Sequence, residues 1–253
     1  MILDQFSLKN KVAVVTGANT GLGQGMCIAL SQAGAKVVGV ARRDCNETKA
    51  LIEEFGGDFF EIIADLSTTE PIDKIVTESK NKFGKVDILV NNAGIILRED
   101  ALNVTEEDWN KVLDINLNVV FFLSQAFAKE FVAQGEGGKI INVASMLSYQ
   151  GGIRVPAYTA SKSAILGITK ALANEWASKN INVNAIAPGY MATNNTKQLR
   201  QDADRSESIL DRIPAGRWGT PDDMMGAVVY LASNASNYVN GFTLAVDGGW
   251  LSR

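Results

Sequence analysis

Short apolar runs and helix-like stretches alternate along this chain from end to end. Most of the apolar runs are continuous rather than alternating, which is typical of strands that a parallel sheet covers on both faces. They predict strands at Val12–Thr16, Lys36–Ala41, Phe59–Ala64, Val86–Asn91, Lys139–Ala144, Asn182–Ala187 and Thr243–Val246. The stretches between them predict helices at Gly21–Gln32, Glu47–Phe55, Pro71–Phe83, Glu106–Gln134, Ala157–Ser178 and Pro221–Leu231.

This alternation predicts an α/β fold. Strand–helix–strand units are right-handed and build a doubly wound parallel sheet with helices on both faces, here of about seven strands. Thr105, which precedes Glu106 and Glu107, predicts the cap of the fourth helix. Neither a linker nor an internal repeat interrupts the order, so we expect residues 1–253 to form a single domain.

The least regular stretch, residues 189–219, lies between the last two predicted strands. It is polar and includes a charged part, Arg200–Arg212. A long insertion after the carboxyl end of a strand is where α/β proteins place a substrate lid, and we predict a lid here. A surface helix with its loop, or a contact between subunits, would give the same pattern.

Composition excludes several classes of function. The 253 residues carry 24 Lys and Arg against 28 Asp and Glu, a net charge of −4 that does not favour binding to nucleic acid or a membrane surface. The chain has no histidine, which excludes a Ser-His-Asp nucleophile, a histidine-ligated metal and imidazole acid–base catalysis. No cluster of residues suggests a metal site.

Cys27 and Cys45 are typical of unpaired cytosolic thiols. Without a secretory signal or an apolar run of about 18 residues, a soluble cytoplasmic protein is expected.

A glycine-rich turn, Thr16–Gly23, joins the first strand to the first helix. Glycine permits a tight turn and a close approach of the backbone, and the helix N-terminus offers N–H groups to a diphosphate. The spacing G-x-x-x-G-x-G differs from the common G-x-G-x-x-G, but its position predicts a Rossmann-like dinucleotide site. The second strand ends in Ala41-Arg42-Arg43 without the acid that would bond the ribose of NAD, and an arginine there favours NADP. Asp65, after the third strand, is placed either to bond the adenine or to cap a helix.

Three further side chains form a candidate catalytic group. Tyr158 and Lys162 share a helix face four residues apart, and Ser145 follows the fifth strand. Moving the pKa of a tyrosine from about 10 to about 7 needs about 4 kcal/mol. A cation about 4 Å away supplies that much at an effective dielectric near 20. We therefore expect Lys162, helped by an oxidised nicotinamide, to lower the pKa of Tyr158, which would exchange its proton while Ser145 holds the substrate oxygen.

Together these motifs resemble those of the short-chain dehydrogenase/reductase family across nearly the whole chain. The matching segments are TGANTGLG, Asn91-Asn92-Ala93-Gly94, Asn116, Ser145, YTASK from Tyr158 to Lys162, and Pro188-Gly189. The resemblance implies an oxidoreductase acting on CH–OH groups, with Asn116, Ser145, Tyr158 and Lys162 catalytic and Asn116 positioning a water near Lys162. It implies a cofactor site formed by Gly17, Asn19, Thr20, Gly21, Leu22, Gly23, Arg42, Asp65, Leu66, Asn92, Ala93, Gly94, Tyr158, Lys162, Pro188, Gly189 and Thr193. Members of the family are usually homotetramers or homodimers.

Segments outside the cofactor half, such as SMLSYQGGIRVPAYTASKS, resemble members of the family that act on keto-deoxy sugar acids. That resemblance implies NAD as the cofactor, with NADP possible because Ala41-Arg42 replaces the acid. An acidic sugar needs a cation, and we expect Arg154 or Arg98 to bind its carboxylate next to Ser145 and Tyr158. Salt bridges within loops or between subunits are the alternative for both arginines. Three alternative functions remain: oxidation of gluconate at C5, reduction of a 3-oxoacyl thioester, and a non-catalytic role as a nicotinamide sensor.

Overall fold

A single seven-stranded parallel sheet forms the centre of the computed structural model, which describes residues 1–252. The strands are Val12–Thr16 (β1), Lys36–Ala41 (β2), Phe59–Ile63 (β3), Ile88–Asn91 (β4), Gly138–Val143 (β5), Ile181–Pro188 (β6) and Thr243–Val246 (β7). Their order in the sheet is β3-β2-β1-β4-β5-β6-β7. The α/β fold class predicted from the apolar runs is confirmed, and β1, β2 and β7 have the predicted bounds.

Helices cover both faces of the sheet. They are Gly21–Gln32 (α1), Asn46–Glu54 (α2), Ile72–Phe83 (α3), Glu106–Leu113 (α4), Val119–Gln134 (α5), Pro156–Trp176 (α6), Lys197–Gln201 (α7), Ala203–Leu210 (α8) and Met225–Ala232 (α9). The Thr105 side chain accepts a hydrogen bond from the Asp108 N–H at 3.1 Å, which confirms the predicted cap of α4. A 3-10 turn at Pro221–Met224 precedes α9, so the last predicted helix begins with a tighter turn.

Alternation along the central strands divides the core into two layers. Val15 of β1 and Val37 of β2 face the layer that contains Met26 of α1. Their chain neighbours Val14 and Val38 face the opposite layer, beneath α3 and α5. Successive strand residues point to opposite faces of a sheet, so continuous apolar runs are what a sheet with two covered faces requires.

The strand order reverses at β1, which pairs with β2 on one side and with β4 on the other. The connections from these strands leave towards opposite faces of the sheet, so a crevice opens at the carboxyl ends of β1 and β4. The glycine-rich turn follows β1, and the Asn91–Gly94 motif starts at the last residue of β4. The fold therefore brings the two motifs to one edge of the sheet. Thr16 Oγ1 donates a hydrogen bond at 3.4 Å to the carbonyl oxygen of Val90, 74 residues away in the chain.

The predicted helix at Glu106–Gln134 is continuous but not uniform. A π-helical turn, Asp114–Asn118, separates α4 from α5 and carries Asn116. By length and composition this helix could cross a membrane. This is weak evidence for a membrane span, because core helices of soluble proteins meet the same criterion. Leu123 and Phe127 of α5 are fully buried in the layer beneath the sheet.

Between β6 and β7, residues 189–219 contain the two short helices α7 and α8. A bridge between Met191 and Gly219 closes the base of this segment, so its ends lie side by side. The segment starts at the carboxyl end of β6, the same edge of the sheet as the crevice.

Phe127 provides a test of the packing beneath the sheet. Its ring is fully buried and lies 6.1 Å from the Phe131 ring, centroid to centroid. Phe127→Ala should lower the free energy of unfolding by about 3–5 kcal/mol, because the lost apolar contacts leave a cavity. Chemical denaturation followed by circular dichroism measures the loss. Phe55→Ala is the matched control because Phe55, at the C-terminal end of α2, is 44% exposed, and an equal loss in both variants would contradict the assignment.

Candidate active site

The glycine-rich turn is built around a contact that only glycine permits. Gly17 and Gly21 adopt left-handed backbone conformations, with φ of +67° and +59°. A Cβ atom on Gly23 would lie 2.0 Å from the Gly17 carbonyl oxygen, and one on Gly17 would lie 2.8 Å from Asn92 Nδ2. The absence of side chains therefore lets the turn close on the start of α1 and leaves its N–H groups facing the crevice.

Asn92 ties this turn to the end of β4. Its Nδ2 donates to the carbonyl oxygens of Thr16, at 2.9 Å, and Gly17, at 3.3 Å. In return, the N–H groups of Asn92 and Ala93 donate to Thr16 Oγ1, each at 3.0 Å. These four hydrogen bonds fix the two motifs relative to each other.

A cleft of about 370 Å³ opens at this edge of the sheet. Most of the residues predicted to hold a cofactor line it: Gly17, Asn19, Thr20, Gly21, Leu22, Gly23, Asn92, Ala93, Gly94, Tyr158, Lys162, Pro188, Gly189 and Thr193. The glycines of the turn leave a space at the N-terminus of α1 that a Cβ atom would fill. We call this space the dinucleotide cradle, and it fits the diphosphate of a nicotinamide dinucleotide.

Three of the predicted cofactor residues do not line this cleft. Arg42 is exposed, and Arg43 faces the cleft instead, because the chain bends at these two residues after β2. Asp65 is also exposed, and its Oδ1 accepts a hydrogen bond from the Ser67 N–H at 3.0 Å in a turn that precedes α3, so it neither lines the cleft nor caps a helix. Leu66 is buried in the core, where its side chain packs beneath the sheet.

Three of the candidate catalytic residues, Ser145, Tyr158 and Lys162, line the cleft. Ser145 follows β5, and its Oγ accepts a hydrogen bond from the Leu147 N–H at 3.1 Å, which fixes the side chain at the start of a 3-10 turn. Tyr158 and Lys162 lie on the first turns of α6, and the Lys162 Nζ is 5.7 Å from the centre of the Tyr158 ring. Lys162 Nζ donates to the Val143 carbonyl oxygen at 2.6 Å, so α6 is joined to the end of β5.

The pKa of Tyr158 differs from the expectation. Burial raises it above its usual value, while a hydrogen bond with the Ser145 side chain and the positive charge of Arg98 lower it less strongly. Lys162 is not among the groups that shift the pKa of Tyr158 in the protein alone, and burial lowers the pKa of Lys162 itself to about 8. In the protein alone, the cost of desolvating the phenolate outweighs the groups that lower the pKa of Tyr158. The expected lowering by Lys162 together with an oxidised nicotinamide stays a prediction.

Asn116 anchors the backbone beside the cleft. Its Oδ1 accepts a hydrogen bond from the Ile95 N–H, and its Nδ2 donates to the Ile95 carbonyl oxygen, both at 2.9 Å. Nδ2 also lies 3.2 Å from Ser161 Oγ on α6. The π-helical turn that presents Asn116 thus joins the chain after Gly94 to the helix of Tyr158 and Lys162. The water-positioning role implied by the resemblance stays a prediction.

A second cavity, of about 340 Å³, adjoins the cleft and shares Ser145 and Tyr158 with it. Arg98 lines this cavity, as expected for a substrate cation, and its Nη2 donates to the Asn195 carbonyl oxygen at 2.9 Å. Arg154 does not line it. The Arg154 backbone is left-handed, with φ of +63°, and its side chain is paired with Asp100 at 3.3 Å, which is the salt-bridge alternative.

Sequence reasoning missed several residues of the two cavities. Arg205, Arg212 and Trp250 line the second cavity, and Arg43 lines the first. The charged part of the 189–219 segment was a signal for the first two, but nothing in the local pattern around Trp250 indicated a cavity.

Comparison with known proteins gives consistent results. Residues 17–251 match a protein-family model described as enoyl-(acyl carrier protein) reductase. The chain is 61% identical over 253 residues, all of both chains, to 2-dehydro-3-deoxy-D-gluconate 5-dehydrogenase of Escherichia coli (strain K12).

Two solved structures are similar in both sequence and fold. One is a putative 2-deoxy-D-gluconate 3-dehydrogenase from Agrobacterium tumefaciens with bound NADP, at 53% identity and a TM-score of 0.94, covering 99% of this chain and 100% of that one. The other is a putative NAD(P)-dependent gluconate 5-dehydrogenase from Beutenbergia cavernae with bound NADP at low occupancy. It is 47% identical, with a TM-score of 0.94, and covers 98% of this chain and 100% of that one.

Gly23→Ala tests the dinucleotide cradle. The added methyl group would meet the Gly17 carbonyl, so the turn must open, and we expect the Kd of a nicotinamide dinucleotide to rise about tenfold or more. Titration calorimetry measures Kd. Gly226→Ala, in α9, is the matched control because no atom lies within 4 Å of the added carbon there. Unchanged affinity in a folded Gly23→Ala protein would contradict the cradle.

Proposed function

This chain belongs to the short-chain dehydrogenase/reductase family, and we propose that it transfers hydride between a nicotinamide dinucleotide and a keto-deoxy sugar acid. The proposed reaction interconverts 3-deoxy-2,5-hexodiulosonate and 2-keto-3-deoxygluconate at C5. One observation carries the proposal: the dinucleotide cleft and a cavity containing arginine side chains meet at Ser145 and Tyr158. The name of the Escherichia coli relative, which is identical at 61% of positions, supports the choice of sugar acid.

Ser145 and Tyr158 perform the proton chemistry in this proposal. Bound nicotinamide dinucleotide supplies or accepts the hydride. In reduction, the Tyr158 hydroxyl donates its proton to the carbonyl oxygen of the substrate, and the Ser145 hydroxyl donates a hydrogen bond to the same oxygen. The raised pKa of Tyr158 keeps its hydroxyl protonated at neutral pH, which is the state that reduction requires.

Lys162 and Asn116 support these two residues. The Lys162 ammonium, 5.7 Å from the Tyr158 ring centre, favours the phenolate that remains after Tyr158 has given up its proton. Because burial lowers the pKa of Lys162 to about 8, this contribution weakens as the pH rises above that value. Asn116 holds the Ile95 backbone, and with it the wall of the cleft at Gly94.

Arg43 bears on the choice between NAD and NADP. It lines the cleft after β2, and none of the described residues that line this cleft is acidic, so no carboxylate among them bonds the ribose hydroxyls of NAD. We propose that Arg43 binds the 2′-phosphate, so that the enzyme uses NADP as well as the NAD implied by its sequence resemblance. Both solved relatives described above contain NADP, which supports this proposal.

Other features of the protein remain proposals as well. Residues 189–219 would serve as a lid over the substrate, because they contribute Arg205 and Arg212 to the second cavity. A homotetramer or homodimer in the cytoplasm is proposed, with a small-molecule substrate and no nucleic-acid or membrane partner. Exposed Phe122 and Val132 on α5 and exposed Phe242 beside the edge strand β7 would suit contacts between subunits.

The alternative functions differ in what they require. A gluconate 5-dehydrogenase is the nearest alternative, because one solved relative carries that description at 47% identity. A 3-oxoacyl reductase would need a surface for its carrier protein, commonly basic, and the net charge of −4 does not favour one. A non-catalytic sensor would have no use for Ser145 and Tyr158 at the junction of two cavities.

A single set of assays tests the reaction and the role of Tyr158. The wild-type enzyme should oxidise 2-keto-3-deoxygluconate faster than gluconate and should not reduce an acetoacetyl thioester, measured by nicotinamide absorbance with NAD and NADP forms. Tyr158→Phe should lower turnover about 10²- to 10⁴-fold without changing the Kd of the dinucleotide, because only the proton donor is lost. Tyr149→Phe is the control, since Tyr149 is exposed and lines neither cavity. Retained turnover in Tyr158→Phe would refute the mechanism.

The neighbouring arginines at the end of β2 offer a matched test of cofactor choice. Arg43→Ala should raise the Kd of NADP about tenfold or more and leave that of NAD nearly unchanged, because only NADP carries the 2′-phosphate. Arg42→Ala, which removes an exposed arginine outside the cleft, should change neither value. If Arg42→Ala weakens NADP binding and Arg43→Ala does not, the assignment to Arg43 is wrong.

A further inference from the structure

A third cavity, of about 320 Å³, opens at the edge of the sheet opposite the dinucleotide cleft. It lies at the amino ends of β1, β4, β5 and β6, whereas the cleft lies at carboxyl ends of strands. Lys139, the second residue of β5, lines this cavity. Ser145 follows the other end of the same strand, roughly 20 Å away at about 3.3 Å per residue. A ligand in the third cavity therefore does not touch the reacting groups.

Lys139 is a buried cation without a counter-ion. It is only 9% exposed, and its Nζ donates to Asn182 Oδ1 and to Asn237 Oδ1, both at 2.8 Å. Within residues 1–252, Lys139 forms no salt bridge with a carboxylate. An ammonium group has three donors, so one donor of Lys139 has no acceptor in the described part of the chain. Because buried charges in proteins are normally paired, this one points to a ligand of opposite charge.

The carboxylates near Lys139 are already paired with other cations. Asp87 accepts hydrogen bonds from Lys11 Nζ at 2.9 Å and from Lys85 Nζ at 3.1 Å. Glu136 is exposed and lies 3.5 Å from Lys85 Nζ. Three ammonium groups thus accompany two carboxylates, and the unbalanced charge is that of Lys139. Burial and the positive charge of Lys11 lower the pKa of Lys139 to about 8, so its ammonium form still predominates at pH 7.

Asparagine side chains add further donors to the same cavity. Asn180, Asn234 and Asn237 line it, and their Nδ2 groups donate to no acceptor in the part of the chain that the structure describes. A close backbone contact fixes one wall, because a Cβ atom on Gly137 would lie 2.2 Å from the Asn180 carbonyl oxygen. The same oxygen accepts a hydrogen bond from the Gly138 N–H at 3.1 Å. An ammonium with neighbouring amide N–H groups is a donor set that suits an oxyanion.

We propose that this third cavity binds a small oxyanion, a phosphate or carboxylate group, whose charge balances that of Lys139. One oxygen of the ligand accepts a hydrogen bond from the third donor of the Lys139 ammonium, and the asparagine amides donate to the others. A cavity of about 320 Å³ has room for the anionic group and for a small molecule attached to it. The site lies away from the cleft, so it goes beyond the proposed reaction and does not depend on it.

Phosphate binding by Lys139 variants tests the site. Calorimetric titration with inorganic phosphate uses enzyme saturated with NADP, so that the dinucleotide cleft is filled. Lys139→Met should raise the Kd of phosphate at this site about tenfold or more, because a charge-assisted hydrogen bond and the only unpaired cation are lost. Binding to the arginines of the second cavity would be equal in wild type and variant, so the difference between them reports the third cavity alone.

Two further variants complete the test. Lys9→Met is the matched control, because Lys9 is exposed at the same end of the sheet, does not line the cavity and should leave the Kd unchanged. Asn234→Ala removes one exposed amide donor and should raise the Kd about threefold. This smaller change still tests the site if Lys139→Met does not fold, since Met would leave the Asn182 and Asn237 oxygens without their donor.

The same titration with acetate identifies the chemical class of the ligand. Tighter binding of phosphate assigns a phosphate group, and tighter binding of acetate assigns a carboxylate. The site is overturned if neither anion binds, if folded Lys139→Met or Asn234→Ala binds as tightly as wild type, or if Lys9→Met loses as much affinity as Lys139→Met. No turnover is measured, so failure of the proposed reaction would leave these results unchanged.

Discussion

The hydrogen bonds between Asn92 and the end of β1 are the constraint on which the rest of the site depends. They hold the carboxyl ends of β1 and β4 together at the one place where the strand order of the sheet reverses. Because Gly17 and Gly23 lack side chains, the turn packs directly against this junction and α1 starts at the crevice. The dinucleotide cleft, the position of Gly94 and the contact of Asn116 with Ile95 all follow from that junction.

Burial has opposite effects on the two ionisable groups beside this junction. It raises the pKa of the Tyr158 phenol and lowers that of the Lys162 ammonium, so each group is biased towards its uncharged form. The protein alone thus stores a proton on Tyr158 at neutral pH. In a chain without histidine, acid–base chemistry needs another side chain, and at this site the candidates are a desolvated phenol and a desolvated amine.

The sequence predicted the elements better than the directions of side chains. Continuous apolar runs gave the bounds of β1, β2 and β7, because a two-sided sheet imposes a simple pattern on its strands. The π-helical turn at Asp114–Asn118 was not predicted, since one extra residue in a helix leaves no clear mark in hydrophobic periodicity. Arg42 and Arg154 were placed in the site by their positions in the chain. The bend after β2 and the left-handed backbone of Arg154 direct these residues elsewhere, and local sequence does not encode such turns.

The second cavity receives two of its arginines and Trp250 from a later part of the chain than the catalytic residues. The groups proposed for proton transfer and dinucleotide binding come mostly from residues before 190, on the strand ends and on α6, whereas Arg205, Arg212 and Trp250 all follow that point. Residues 189–219 are joined at their base by the bridge between Met191 and Gly219, so the segment forms a closed loop with adjacent ends. Substitutions within this one stretch therefore alter part of the lining of the second cavity without changing Ser145 or Tyr158.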